Sequence, residues 1–192
     1  MEQTINPETL FRELSVQTTA EKEVILKRHE FLKTAGSTDM NIYWIETGSL
    51  KIYILDDAEE RIVRFAYPGN IIASLDSFIR ETPSDFYIQA LRKTRLKVIP
   101  KHTFIALINS DISYLKIWNQ LLEDLVVQQL EREKDLLTSS PGERFRRVLK
   151  RSPRLFQEIP EKHIANYLRM SPETLSRLKN LDFYQDLKEK NG

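Results

Sequence analysis

The side chains best suited to chemistry gather in the stretch Ile159–Asn180, IPEKHIANYLRMSPETLSRLKN. Glu173, Thr174, Ser176, Arg177 and Lys179 share the outward face of a predicted helix there, and acids, hydroxyls and cations in that company read base edges and phosphates. A shorter predicted helix precedes it around a tight corner. Ile164, Ala165 and Leu168 on the first helix, Leu175 and Leu178 on the second, and Met170 between them form a shared apolar face at helical spacing. Ala165 is the small residue wanted where one helix crosses the other. The pattern is that of a helix-turn-helix, and it predicts sequence-specific DNA binding.

Such a head needs a third wall and a support. Phe145, Val148 and Leu149, on a helix expected to begin at Glu143, supply the wall. The other face of that helix is basic: Arg144, Arg146, Arg147, Lys150, Arg151 and Arg154 follow one another with no acid between. This run predicts phosphate contact, with Arg144 and Arg147 holding the DNA backbone. From Pro141 onward the chain has 12 Lys and Arg against 7 Asp and Glu, a balance of +5, which leaves −4 for the first 140 residues of a chain whose net charge is +1. A cationic C-terminal part joined to an acidic partner suits phosphate neutralisation.

Before the head, Thr138-Ser139-Ser140-Pro141-Gly142 reads as a hinge in which proline and glycine stop a long helix. That helix spans about 27 residues from Asp111 to Leu137, roughly 40 Å at the helical rise. Leu115, Trp118, Leu122, Leu125, Gln129 and Leu136 fall close to a 3.5-residue repeat, with Leu121 and Val126 widening the stripe. The seam predicts a homodimer, in which Gln129 and Arg132 interrupt the apolar stripe.

Glu30 to Phe104 has a different period. Runs such as Tyr43, Ile45, Leu50, Ile52, Ile54 and Ile62, Val63, Phe65 are β-branched or aromatic and alternate with polar residues. Turn signals at Ala35-Gly36-Ser37, Thr47-Gly48-Ser49, Asp56-Asp57, Pro68-Gly69 and Thr82-Pro83-Ser84 separate them. Short antiparallel strands so spaced predict a closed roll or jelly-roll-like domain. Ahead of it, Ile5–Leu14 and Thr19–His29 carry cap residues that predict two short helices. The fold class is therefore α+β, with a sensor domain over 1–109, a dimerisation helix over 110–138 and the DNA-binding part over 139–192.

Composition closes off several alternatives. The 192 residues are 41% hydrophobic and 30% charged, as in a globular protein. The chain has no apolar run of about 20 residues and no signal-like start, so a cytoplasmic location without membrane association is expected. Zero cysteines exclude disulfides, thiolate zinc and cysteine-held clusters. His29, His102 and His163 are scattered and have ordinary structural readings, so no metal or haem role is expected. Cupin-type enzymes would need clustered histidine and carboxylate ligands on facing strands, and no such cluster is present; an enzyme is not expected.

The order of parts, with IYWIETGSLKIYIL and SPETLSRLKN as its strongest segments, resembles the Crp/Fnr superfamily of bacterial transcription regulators: a cyclic-nucleotide-binding-like roll, a dimerisation helix and a C-terminal helix-turn-helix of winged-helix-like type. It is also similar to the Bacteroidetes-type subgroup, through PSDFYIQAL after SFI. The resemblance implies a homodimer on a near-palindromic double-stranded DNA site, with RNA polymerase as a further partner. It places Glu173 and Arg177 at base edges: a carboxylate accepts from cytosine N4 and a guanidinium pairs with guanine O6 and N7, roughly 1–3 kcal/mol of discrimination each. Ser171 caps the recognition helix ahead of Pro172, and Ser171, Thr174, Ser176, Lys179 and Arg169 are positioning contacts.

Three departures from that family pattern matter. The effector pocket is degenerate: Ser74, Ser84 and Asp85 stand where the family holds a glutamate, an arginine and a serine or threonine. An acid near the phosphate position is repulsive, so cyclic AMP is not expected as a cofactor and the sequence names no other effector. Arg169 occupies a corner that usually carries glycine in a left-handed conformation, at a cost of roughly 1–2 kcal/mol. After the recognition helix, LDFYQDLKEKNG suggests a short terminal helix, with the wing short or missing. A competing reading is a non-DNA-binding sensor or interaction module whose C-terminal helices bind a protein partner.

Overall fold

The computed structural model describes residues 22–190 of the chain. The helix expected over Ile5–Leu14 lies outside the described residues. Two compact units divide the chain, residues 1–127 and 128–192.

The first unit is built on eight strands: β1 (Lys22–Leu26), β2 (Phe31–Lys33), β3 (Asn41–Thr47), β4 (Leu50–Asp56), β5 (Glu59–Ala66), β6 (Ile71–Ile72), β7 (Tyr87–Ala90) and β8 (Thr94–Pro100). They form two antiparallel four-stranded sheets, ordered β1-β8-β3-β6 and β2-β7-β4-β5. Period-two alternation assigns the faces. Leu26, Tyr43, Ile45, Ile72 and Leu96 from one sheet meet Leu50, Ala66, Ile88 and Ala90 from the other in one buried cluster. Side chains of the other parity, Ile42 and Ile99, face a second cluster with Phe78, Phe104, Leu107, Ile108 and Ile117. Those last residues belong to α1 (Leu75–Arg80), α2 (Lys101–Ile108) and α3 (Ile112–Leu137).

Two corners show how the turns are made. At Thr47-Gly48-Ser49 a Cβ on Gly48 would lie 2.4 Å from Thr94 Oγ1, and φ is +91°, so only glycine fits. The two-residue β4–β5 hairpin places Asp57 and Ala58 at φ +49° and +63°, both in the left-handed region that such loops require.

Several expectations need correction here. The helix expected over Thr19–His29 is not formed by its described residues: Lys22–Leu26 is a strand paired in register with β8, from Lys22 opposite Val98 to Leu26 opposite Thr94. Its alternation, with Leu26 buried and Val24 packed inward while Glu23 and Ile25 are exposed, outweighs the cap-like acids before it. Helices α1 and α2 were not among the expected elements. The hinge is also shorter than expected, because Pro141 begins the next helix, α4 (Pro141–Arg151), with Ser140 as N-cap accepting from the Glu143 N–H at 3.3 Å. Proline at a first helical position opens a helix, since its missing N–H has no partner to lose.

The second unit holds the last turns of α3, then α4, α5 (Leu155–Glu158), α6 (Glu161–Tyr167) and α7 (Pro172–Lys190). Phe145, Val148, Leu155, Ile159, Ile164, Ala165, Leu168 and Leu175 are its buried core. Phe145 meets Phe156 edge-on at 5.5 Å, and Ala165 is fully buried, as a close helix crossing requires. Helix α7 continues unbroken to Lys190 rather than ending before a separate terminal helix; no proline or glycine interrupts LDFYQDLKEK.

Candidate nucleic-acid interface

The corner between α6 and α7 is set by local hydrogen bonds. Arg169 lies at φ +55°, the left-handed conformation expected there. Its N–H donates to Asn166 O at 3.0 Å, and the Met170 N–H donates to Ala165 O at 3.0 Å. That pair of bonds is a Schellman motif with arginine in the place glycine usually takes. Immediately afterwards Ser171 Oγ accepts the Thr174 N–H at 3.2 Å and caps α7. The Ser171 hydroxyl and the residue's own backbone N–H hold the Glu173 carboxyl below its ordinary value, so Glu173 is an anion at the positive end of α7.

Along α7, Glu173, Ser176 and Arg177 are exposed. They line one shallow concavity with Glu161, Pro172, Asn180 and Leu181. The structure therefore brings together three of the expected reading residues. Glu161 and Asn180 were missed, although Asn180 follows Glu173 and Arg177 at the i, i+4, i+7 spacing of a single helix face.

Of the other expected contacts, Arg169 is exposed, and the rest are engaged within the protein. Lys179 forms an ion pair with Glu161. The hydroxyls of Ser171 and Thr174 lie 3.2 Å apart and share a hydrogen bond. Arg144 is 8% exposed, and its guanidinium donates to main-chain carbonyls. Its Nε reaches Leu168 O at 2.8 Å, Nη2 reaches Arg169 O at 3.2 Å, and Nη1 reaches Ser139 O at 3.3 Å and also Thr138 O. Arg147 donates to Asp135 Oδ1 and Glu131 Oε2, both at 3.0 Å. Arg151 grips the same Asp135, whose carboxylate is fully buried. Burial alone would lower the Arg151 pKa, but hydrogen bonding to Asp135 together with the nearby charge of Asp135, Tyr167 and Glu131 holds the guanidinium above its ordinary value. Arg154 pairs with Glu158. Of the basic run, Arg146 and Lys150 are exposed without an ion pair among the described residues. The run is thus largely a structural clamp: four of its six cations meet protein acceptors, because acids far away in sequence fold back onto it.

Helix α3 carries the expected dimer residues. Leu115 and Trp118 pack on the roll's second cluster, Trp118 meeting Phe104 edge-on at 5.0 Å. Leu122 and Leu125 are half-buried and Gln129 is exposed. Val126, Val127 and Leu130 are more than half exposed. The first turns of the seam thus serve their own roll, and the exposed apolar residues lie further along. Arg132, expected to interrupt the stripe, is buried, with its guanidinium 3.7 Å from the Tyr167 ring centre and Nη2 donating to Tyr167 O at 2.7 Å.

In the roll, Ser74 and Ser84 are buried and Asp85 is exposed. Beside them Lys33, only 4% exposed, donates to the carbonyls of Thr34, Ser84 and Phe86 at 3.2–3.4 Å. Burial lowers its pKa, while Asp76, Asp39 and Asp85 act to raise it. Burial would also raise Asp76, but hydrogen bonds from Ser84, the Ser77 N–H and Ser74 outweigh it and hold that carboxyl below its ordinary value. One cation thus faces three carboxylates. Among the described residues no cluster of His, Cys, Asp and Glu could hold a metal ion, and no helix is long and apolar enough to cross a membrane.

Comparison with known proteins bears on the fold. Residues 23–111 match the cyclic nucleotide-binding domain family. The fold is similar to that of FixK2 from Bradyrhizobium japonicum (20% identity, 87% of this chain and 86% of that chain, TM-score 0.69). It is also similar to a CooA variant from Carboxydothermus hydrogenoformans (17%, 95% and 86%, TM-score 0.66). The catabolite activator protein of Thermus thermophilus is a third (19%, 96% and 86%, TM-score 0.55). No curated protein matches the chain. A roll followed by helices is thus a fold that this chain shares with these proteins. None of the matches singles out the Bacteroidetes-type subgroup.

Proposed function

We propose that this protein is a sequence-specific DNA-binding transcription regulator of Crp/Fnr type, acting as a homodimer on a near-palindromic site without cyclic AMP as its trigger. The observation that carries the reading is the capped start of α7, where ionised Glu173, Ser176 and Arg177 stand exposed on one concave face. Glu173 and Arg177 read base edges, and Ser176, Arg146 and Lys150 contact the backbone. Val126, Val127 and Leu130 supply the apolar contact between two copies of α3. Two heads then meet major grooves one helical turn, roughly 34 Å, apart. The carboxylates of Asp39, Asp76 and Asp85 act electrostatically on Lys33, and that negative charge disfavours a cyclic phosphate at this place.

The test is selection of bound fragments from random DNA, followed by titration of the selected site at several salt concentrations. The expected result is a two-fold symmetric site bound by two chains, with affinity falling as salt rises. Retention of no DNA even at low salt overturns the reading. Cyclic AMP is expected to leave both the melting temperature and the DNA affinity unchanged.

A further inference from the structure

The α6–α7 corner carries a conformational cost and sits where the angle of α7 is decided, so what holds it matters to any reading by α7. Arg169 has a Cβ in a left-handed conformation that ordinarily suits glycine. The last carbonyls of α6 also lack intrahelical partners. At and just past the end of α6, the carbonyls of Tyr167, Leu168 and Arg169 accept hydrogen bonds from just two guanidiniums, Arg132 on α3 and Arg144 on α4.

Arg144 does more than cap. The same guanidinium donates to the Thr138 and Ser139 carbonyls, where α3 ends. Arg132 lies on α3 itself and stacks on Tyr167. The end of α3, the start of α4 and the corner are therefore joined through two planar, always-charged forks, a task for which arginine's fixed donor geometry is suited and lysine's point charge is not. Any displacement of the last turns of α3 breaks these bonds or carries the corner with it.

We propose that Arg132 and Arg144 are positioning residues that set the angle of α7 by coupling the corner to the end of α3, and that neither contacts DNA. The proposal rests on the DNA reading above only for its functional consequence. A phosphate contact and a positioning contact differ in two measurable ways. Removing a phosphate contact flattens the salt dependence of binding by about one unit of log–log slope and lysine restores it; removing a positioning contact lowers affinity at unchanged slope and lysine restores it poorly.

The experiment uses the full-length chain and its selected DNA site. Arg144→Met, Arg144→Lys and Arg132→Met are compared with the unaltered protein by salt-dependent binding and, without DNA, by amide hydrogen exchange at Arg169 and Met170. The expected result is an affinity loss of roughly tenfold or more for both methionine variants, an unchanged slope, incomplete rescue by Arg144→Lys, and faster exchange at the two corner amides. If Arg144→Met does not fold, Arg132→Met carries the same two readouts. A slope lowered by about one unit with full rescue by lysine, or corner exchange left unchanged in both methionine variants, overturns the proposal. Absence of DNA binding by the unaltered protein sinks the DNA reading alone, while the exchange comparison still decides the coupling.

Discussion

In the roll, Lys33 is buried and donates to main-chain carbonyls, and in the basic run from Arg144 to Arg154 most cations are likewise held by Asp135, Glu131, Glu158 or carbonyl groups. On the concave face of α7 the arrangement is reversed, for Glu173 and Arg177 are exposed, with the capping Ser171 beside Glu173. Both regions are rich in charge, yet in the first only Arg146 and Lys150 are left available to a partner. A charge whose acceptors are supplied by the fold contributes to stability or orientation. A charge held rigidly but left open can recognise something else. Each of the following experiments asks whether a given side chain belongs to the first kind or the second.

The largest effect is expected at Asp135. Its carboxylate is fully buried and joins Arg147 and Arg151, so Asp135→Ala leaves two guanidiniums without their common acceptor. Breaking a buried pair from one side costs about 3 kcal/mol. Urea unfolding followed by circular dichroism should record that loss, and unchanged stability would return Arg147 and Arg151 to the open kind of charge.

Next comes Arg177→Ala, expected to leave stability within about 0.5 kcal/mol. It should remove about 1–3 kcal/mol of discrimination at particular base pairs of the selected site. Competition binding between that site and single-base variants measures this. Equal loss against every sequence would make Arg177 a backbone contact instead.

A smaller change is expected from Arg146→Ala and Lys150→Ala. These are the exposed members of the basic run, and each substitution should lower the log–log salt slope by about one unit with no change in base preference. Arg147→Ala, by contrast, should weaken the fold and leave the slope alone, since its guanidinium already has two carboxylates.

The fold was more legible than the partners of its charges. Apolar periodicity is a local signal, and it located α3, the strand alternation from β3 to β5, and the buried pair Ile164 and Ala165. The capped start of α7 was equally local: Ser171 and Pro172 announce it. The left-handed corner at Arg169 came from the family resemblance instead. What failed was non-local. Lys22–Leu26 carries Glu23 and follows Thr19 and Glu21, a helix-like start, and only its pairing with β8 makes it a strand. The run from Arg144 to Arg154 looked like bare positive surface because Asp135, Glu131 and the carbonyls of residues 138, 139, 168 and 169 meet it only after folding. Lys33 and Asp76 escaped notice for the same reason, as 43 residues separate them in the chain.

The least perturbing experiment addresses that pair. Asp76 has a carboxyl held below its ordinary value in the folded protein by hydrogen bonds from Ser84, Ser77 and Ser74 against the opposing effect of burial. A depressed folded value means that the ionised form stabilises the fold at pH above the unfolded carboxyl value of about 4, and that this contribution fades as pH falls through that value towards the folded one. Asp76→Asn removes the ionisable group. At pH 7 the variant should therefore melt slightly below the unaltered protein, and the gap should narrow towards pH 3. A gap that widens on acidification would mean that Asp76 is stabilised as the neutral acid. The Lys33 ammonium would then lack one of its balancing carboxylates, and the roll would hold the open kind of charge seen on α7.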